Sequence, residues 1–276
     1  MSTWQAVLLG IVQGLTEFLP ISSSGHLVLF QNLLGFREPE LLMDICLHLG
    51  TLAAVLIVFQ RDIRDILATL IRLPVLARSV GGFKALLRQD PHVRICFLIG
   101  IGSLPTAVLG LLFHRFADRI FANVTLVGAM LLVTGSLLWF TRRARPAARP
   151  LQHMRSRDAA WIGLAQGLAI LPGISRSGAT ISTALYLGID RRLAGRFSFL
   201  LSIPAIVGAL FLEIKSADLH ASATATAIVL GTVAAGISGY FALVVLLRLV
   251  EKGKIQYFAP YCWLLGCATL IWQAVS

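Results

Sequence analysis

"QGLTEFLPISSSGHL", residues 13–27, is the stretch on which the fold of this chain turns. Its fifteen residues hold a carboxylate (Glu17), an imidazole (His26), three consecutive serines and a proline. Long apolar runs lie around it. Ionisable groups in such surroundings are costly unless they pair or face a wet cavity, so they mark function.

The whole chain explains why the stretch stands out. Of 276 residues, 57% are hydrophobic and 13% charged. A soluble domain carries roughly 25% charged residues. Apolar runs near about 20 residues suit a bilayer-spanning helix. The expected class is an all-α polytopic membrane protein, a single integral membrane domain over 1–276.

The net charge of +11 does not point to nucleic acid, because Lys and Arg fall in short blocks between apolar runs. Cys46, Cys96, Cys262 and Cys267 all sit in apolar stretches and read as small buried hydrophobes, not as metal ligands or disulfides. The opening "MSTW" lacks a basic region, so no cleaved signal peptide is expected.

Six apolar segments are long enough to span: 41–59, 93–113, 120–141, 195–213, 223–249 and 257–274. Two more, 4–35 and 158–190, are interrupted at Pro20–Gly25 and Pro172–Gly178. Each half of these is too short to cross about 30 Å of hydrocarbon. Helix, break and helix then read as a re-entrant hairpin.

Nineteen of the 24 Lys and Arg residues lie in 60–94, in 142–157, just after the second hairpin, or just before the last span. Arg37, Arg115, Arg119 and Lys215 lie on the opposite connections, and Arg176 stands alone inside a break. The imbalance predicts that the four basic blocks are cytoplasmic. The first hairpin then opens outside, the second opens to the cytoplasm, and both termini lie outside. Within 60–94, "RDIRDILATLIRL" alternates as an amphipathic helix lying on the anionic leaflet would.

The interrupted stretches echo each other. A shift of 153 residues carries Gln13, Gly14, Leu15, Ile21, Ser22, Ser24 and Gly25 onto Gln166, Gly167, Leu168, Ile174, Ser175, Ser177 and Gly178. Leu34 and Gly35 fall on Leu187 and Gly188, a glycine stop after each second half-helix. Repeat one is 1–141 and repeat two 158–276, each a hairpin plus three spans. Three is odd, so the second repeat is expected inverted, with both polar tips near the midplane.

The tips combine suggestive groups. Gln13 and Glu17 share a helix face. Ser22, Ser23, Ser24, Gly25 and His26 form one tip; Ser175, Arg176, Ser177, Gly178 and Thr180 form the other. A guanidinium fork and two helix N-termini suit a phosphate or diphosphate. Ser23 and His26, three residues apart, are expected to meet across a turn, with Glu17 orienting His26 or pairing with Arg176. Attack by Ser23, by His26 or by water all stay open here. Asp44, His48 and Glu213 read as supporting polar groups, and Tyr186 and Arg196 stand near the second hairpin's mouth.

At these residues the chain resembles the undecaprenyl-diphosphate phosphatases, the bacitracin-resistance family. "QGLTEFLPISSSGH" is similar to their first signature and "LPGISRSGAT" to their second, and "FSFLLSIP" also fits. The resemblance implies an inner-membrane hydrolase. It would remove the terminal phosphate of a C55 polyprenyl diphosphate and so recycle the carrier for peptidoglycan. It implies catalytic roles for Glu17, Ser23, His26 and Arg176. It implies phosphate binding by Ser22, Ser24, Gly25, Ser175, Ser177, Gly178 and Thr180. A divalent cation, Mg²⁺ or Ca²⁺, is also implied, with Glu17 and Gln13 as ligands; an amide at Gln13 is a poorer ligand than the glutamate the family also uses there. The expected partners are the lipid substrate and the bilayer, with a homodimer left open and no nucleic acid. The rival reading is a lipid-phosphate transporter of the same architecture.

Overall fold

The computed structural model of the protein describes residues 2–33, 41–79, 82–114, 116, 120, 123–144, 148–216 and 224–275. Among them the architecture is helical, apart from an isolated bridge between Arg149 and Ile189. The sequence stop at Leu34–Gly35, Arg37, Arg115, Arg119 and Arg145 lie outside the described residues, as do the side chains of Glu213 and Lys215.

The first interrupted stretch forms α1 (Thr3–Phe18) and α2 (Ser23–Leu33). The second forms α8 (Ser156–Leu168) and α9 (Arg176–Tyr186). Between them lie α3 (Leu41–Val58), α4 (Gln60–Ser79), α5 (Phe83–Gln89), α6 (Pro91–His114) and α7 (Val124–Phe140). Then follow α10 (Arg191–Ser216), α11 (Ala225–Glu251) and α12 (Ala259–Val275). Five described segments are long and apolar enough to cross a membrane, and a sixth if α3 and α4 count as one bent unit. They carry wide exposed apolar faces, such as Leu104, Val108 and Leu111 on α6 and Val233, Ile237 and Phe241 on α11. Faces of that size suit lipid as solvent, and the chain is a multi-pass membrane protein.

The basic stretch 60–94 carries the expected helix over "RDIRDILATLIRL". It folds into α4 and α5, and α4 turns 81° away from α3. Leu67, Leu70 and Ile71 remain exposed on α4. The breaks are also shorter than the sequence suggested. Serine 22 and serine 175 act as caps: Gly25 N donates to Ser22 Oγ at 3.3 Å, and Gly178 N to Ser175 Oγ at 3.1 Å. Capping starts each helix early, so the ends of both predicted breaks become first helical turns.

Small residues let the short helices sit close to their neighbours. At Gly10 of α1 an added Cβ would lie 2.2 Å from Gly231 O of α11. At Gly163 of α8 it would lie 1.9 Å from Gly102 O of α6. Gly10 and Gly163 are themselves 153 residues apart, so the echo extends to how each hairpin is seated. Such backbone approach is the usual basis of helix packing in membranes.

The largest buried cluster lies behind the tips. Phe18 meets Phe199 edge-on at 5.8 Å between ring centres, and Phe59 stacks on Phe199 at 6.1 Å. Phe197 and Phe199 come from "FSFLLSIP". Arg149 staples both ends of the second hairpin: it pairs with Asp158 on α8 and donates to Leu187 O beyond α9 at 2.7 Å.

Candidate active site

The two tips touch. Ser177 Oγ donates to Phe18 O at 2.8 Å, and Gly173 N donates to Ser22 Oγ at 3.1 Å. Ser22 holds φ at 70°, the left-handed region that non-glycine residues seldom enter. Several hydrogen bonds fix it there. Its Oγ accepts from Gly173 and Gly25, and its carbonyl accepts from His26 N at 3.2 Å and His26 Nδ1 at 2.7 Å.

Glu17 is the centre of the polar cluster. Gln13, one helical turn earlier, donates its Nε2 to Glu17 Oε2 at 3.0 Å. Ser23 Oγ donates to the same oxygen at 2.7 Å across the break. Arg176 pairs with Glu17 Oε1 from the other hairpin. His48 Nε2 of α3 stands 3.9 Å from Oε2. Glu17 is buried, and a buried carboxylate needs such partners.

The expected Ser23–His26 contact is not made. Glu17 takes the Ser23 hydroxyl, because the tight break brings the carboxylate to the first turn of α2. His26 turns the other way: Nδ1 meets the Ser22 carbonyl and Nε2 meets the Tyr261 hydroxyl at 2.7 Å. Glu17 therefore orients Ser23, not His26.

The structure also sorts the remaining tip hydroxyls. Ser22 and Ser177 bridge the hairpins, and Ser175 caps α9. Thr180 Oγ1 donates to Arg176 O at 2.8 Å. These groups shape the tips from within. Ser24 is half-buried, with its Oγ 3.3 Å from Ser22 Oγ. The N–H groups that open α2 and α9 at Ser23, Ser24, Arg176 and Ser177 take no part in these caps. The starts of α2 and α9, each a positive dipole end, meet at Glu17 through Ser23 and Arg176.

Two contributors were not evident from the sequence. Thr134 of α7 accepts from Ser175 N at 3.1 Å and donates to Gly173 O at 2.8 Å, clamping the second break. Tyr261 of α12 holds His26. Thr134 and Tyr261 lie in apolar spans far in sequence from the contacts they make. His48 approaches Glu17, in the supporting role expected of it. Asp44 supports His48 through its carbonyl, 2.8 Å from His48 Nδ1. Tyr186 and Arg196 lie away from the tips: Tyr186 donates to Leu137 O and Arg196 pairs with Asp62.

Among the described residues, no three His, Cys, Asp or Glu side chains form a metal-binding group. Gln13 Oε1 is buried with no hydrogen-bond partner, one turn from Glu17. One amide oxygen and one carboxylate do not make a protein cage. They do fit an ion whose other ligands are phosphate oxygens and water, the usual arrangement for Mg²⁺.

Known proteins share this chain nearly end to end. An undecaprenyl-diphosphatase of Desulfatibacillum aliphaticivorans is 51% identical over 268 residues, 97% of each chain. Undecaprenyl-diphosphatases of Desulfosudis oleivorans and Desulforapulum autotrophicum are 50% and 46% identical, each covering 98% of both chains. Residues 6–268 match the family described as bacitracin resistance protein BacA, and those residues include both tips and the Glu17–Arg176 pair. The chain belongs to the bacitracin resistance protein BacA family.

Proposed function

We infer that the chain hydrolyses undecaprenyl diphosphate to undecaprenyl phosphate and inorganic phosphate. This activity returns the lipid carrier to peptidoglycan synthesis and underlies bacitracin resistance. The observation that carries the mechanism is Glu17: one oxygen accepts from the Ser23 hydroxyl at 2.7 Å while the other pairs with Arg176. A hydroxyl on a carboxylate, beside a guanidinium and two helix N-termini, is an arrangement for phosphoryl transfer.

The diphosphate offers Arg176 a second anion with paired oxygens. Arg176 and the N–H groups opening α2 and α9 bind the terminal phosphate, and Glu17 is left to Ser23. Ser23 Oγ attacks the terminal phosphorus and its proton passes to Glu17. The anhydride bond breaks, its electron pair stays on the bridging oxygen, and undecaprenyl phosphate leaves. Water then attacks the phosphoserine and its proton passes to a phosphate oxygen, while His26, held by the Ser22 carbonyl and Tyr261, fixes the turn that carries Ser23. The proton on Glu17 returns to Ser23 Oγ as inorganic phosphate departs. A divalent cation held by Gln13 Oε1, Glu17 and diphosphate oxygens would neutralise charge at the phosphoryl group.

Helix lengths support the re-entrant reading of both hairpins. α1 has 16 residues and α8 has 13, about 24 Å and about 20 Å long. Entering from opposite faces of a core about 30 Å thick, such helices overlap in depth. The contacts between the tips agree with that. The proposed arrangement has six spans and two inverted repeats in the bacterial inner membrane. The basic blocks face the cytoplasm, and both termini and the site's mouth face outward.

The test is direct. Purified protein in detergent, given undecaprenyl diphosphate, should release inorganic phosphate and leave the lipid monophosphate. Folded protein that releases none would overturn the assignment.

A further inference from the structure

We propose that the cavity where α10 begins and α11 ends binds the headgroup of an anionic phospholipid. The cavity has a volume of about 730 Å³. Its walls are the bend between α3 and α4, the segment 148–151, the start of α10 and the end of α11. None of the tip residues around Glu17 and Arg176 lines it.

α10 and α11 are both long and apolar enough to cross a membrane. Their charged ends, "DRRLAGR" at 190–196 and Glu251, therefore sit where hydrocarbon gives way to headgroups. Val58, Leu247 and Val250 give the cavity an apolar side. Beside them on the same helices, Ile57 and Val245 are exposed, as residues facing acyl chains would be.

The acids of the cavity are all engaged. Asp62 pairs with Arg196. Asp190 Oδ1 accepts from Leu193 N at 3.0 Å and so caps α10. Glu251 stands 3.4 Å from Arg192 Nε, and both side chains are exposed, so the pair holds weakly. Arg191 is the cation left over: it is exposed and has no ionic partner among the described residues. Its guanidinium lies against the backbone of Gly253, where φ is 66° and an added Cβ would come within 2.5 Å of Arg191 Cζ.

The cavity thus offers one guanidinium without a carboxylate and a second, on Arg192, that can exchange its carboxylate at little cost. Two such forks suit the paired oxygens of a phosphodiester. Basic pockets between spans are suited to anionic lipid headgroups for this reason. A choline headgroup would bring its own cation beside Arg191 and Arg192. The site therefore favours phosphatidylglycerol over phosphatidylcholine.

The experiment is native mass spectrometry of purified full-length protein, titrated in detergent with phosphatidylglycerol or with phosphatidylcholine of the same acyl chains. Wild type should retain a phosphatidylglycerol in preference to phosphatidylcholine. Arg191→Gln combined with Arg192→Gln should weaken that binding about tenfold or more, the scale of two lost arginine contacts to an anionic lipid. Both side chains are exposed, so the unfolding midpoint of this variant without lipid should match wild type. Arg64→Gln combined with Arg72→Gln, exposed on α4 and outside the cavity, should leave the binding intact. Excess inorganic phosphate should not displace the lipid. Equal retention of the two lipids by wild type, or unchanged binding after loss of Arg191 and Arg192, would overturn the proposal. An equal loss in the α4 variant would overturn it too, by showing general attraction to a basic surface. Displacement by inorganic phosphate would overturn it in favour of a site for the free anion.

Discussion

Arg176 and Glu17 are 159 residues apart in sequence and form an ion pair between the tips of two separate hairpins. The pair joins the repeats and also sets the chemistry, because the same carboxylate accepts the Ser23 hydroxyl.

Breaking this pair from one side should cost stability as well as activity. Arg176→Ala leaves a buried carboxylate without its cation, which typically destabilises by about 3–5 kcal/mol. Adding Glu17→Gln removes the stranded charge. Thermal unfolding in detergent should show Arg176→Ala well below wild type and the double variant largely restored. Phosphate release should stay lost in both. Equal midpoints for wild type and Arg176→Ala would contradict the pairing.

The seating of the hairpins is tested by glycine. Gly163→Ala places a methyl 1.9 Å from the Gly102 carbonyl oxygen, so α8 must move away from α6. Gly100, also on α6, has nothing within 4 Å of an added Cβ. Gly163→Ala should cost about 1–3 kcal/mol, the usual range for overpacking. Gly100→Ala should be close to neutral, and both are read by unfolding midpoints.

The Gln13 amide bears on the metal. If a divalent ion binds through Gln13 Oε1, Glu17 and substrate oxygens, a second carboxylate should tighten it. Chelator should stop phosphate release by wild-type protein, and added Mg²⁺ should restore it. Gln13→Glu should lower the Mg²⁺ concentration for half-maximal rate by about tenfold, roughly 1.4 kcal/mol of binding. Release that persists in chelator would remove the ion from the mechanism.

Much of this was legible because the informative residues are polar in an apolar chain and clustered in sequence. The breaks and the 153-residue echo follow from two short motifs, and the motifs left two roles open to Glu17, of which the structure shows the pairing with Arg176 and not the orienting of His26. What escaped notice depends on packing between distant segments. Tyr261 is 235 residues from His26 and Thr134 is 41 from Ser175, and each is one polar residue in an otherwise ordinary span. The Ser23–His26 spacing allowed a contact that the structure does not make, because helical spacing gives reach but not rotamer. Gly10 and Gly163 carried the 153-residue shift too, yet a glycine shows close approach only once its neighbour is known.

Glu17 is placed to activate Ser23 for attack on the terminal phosphorus. That role is tested most directly by phosphate release from undecaprenyl diphosphate by purified wild type, Ser23→Ala and Glu17→Gln. Wild type should turn over and each variant should lose about 10³-fold or more, with Ser23→Ala still folded and its unfolding midpoint lowered only by one lost hydrogen bond to Glu17. Near wild-type turnover in Ser23→Ala would contradict that role.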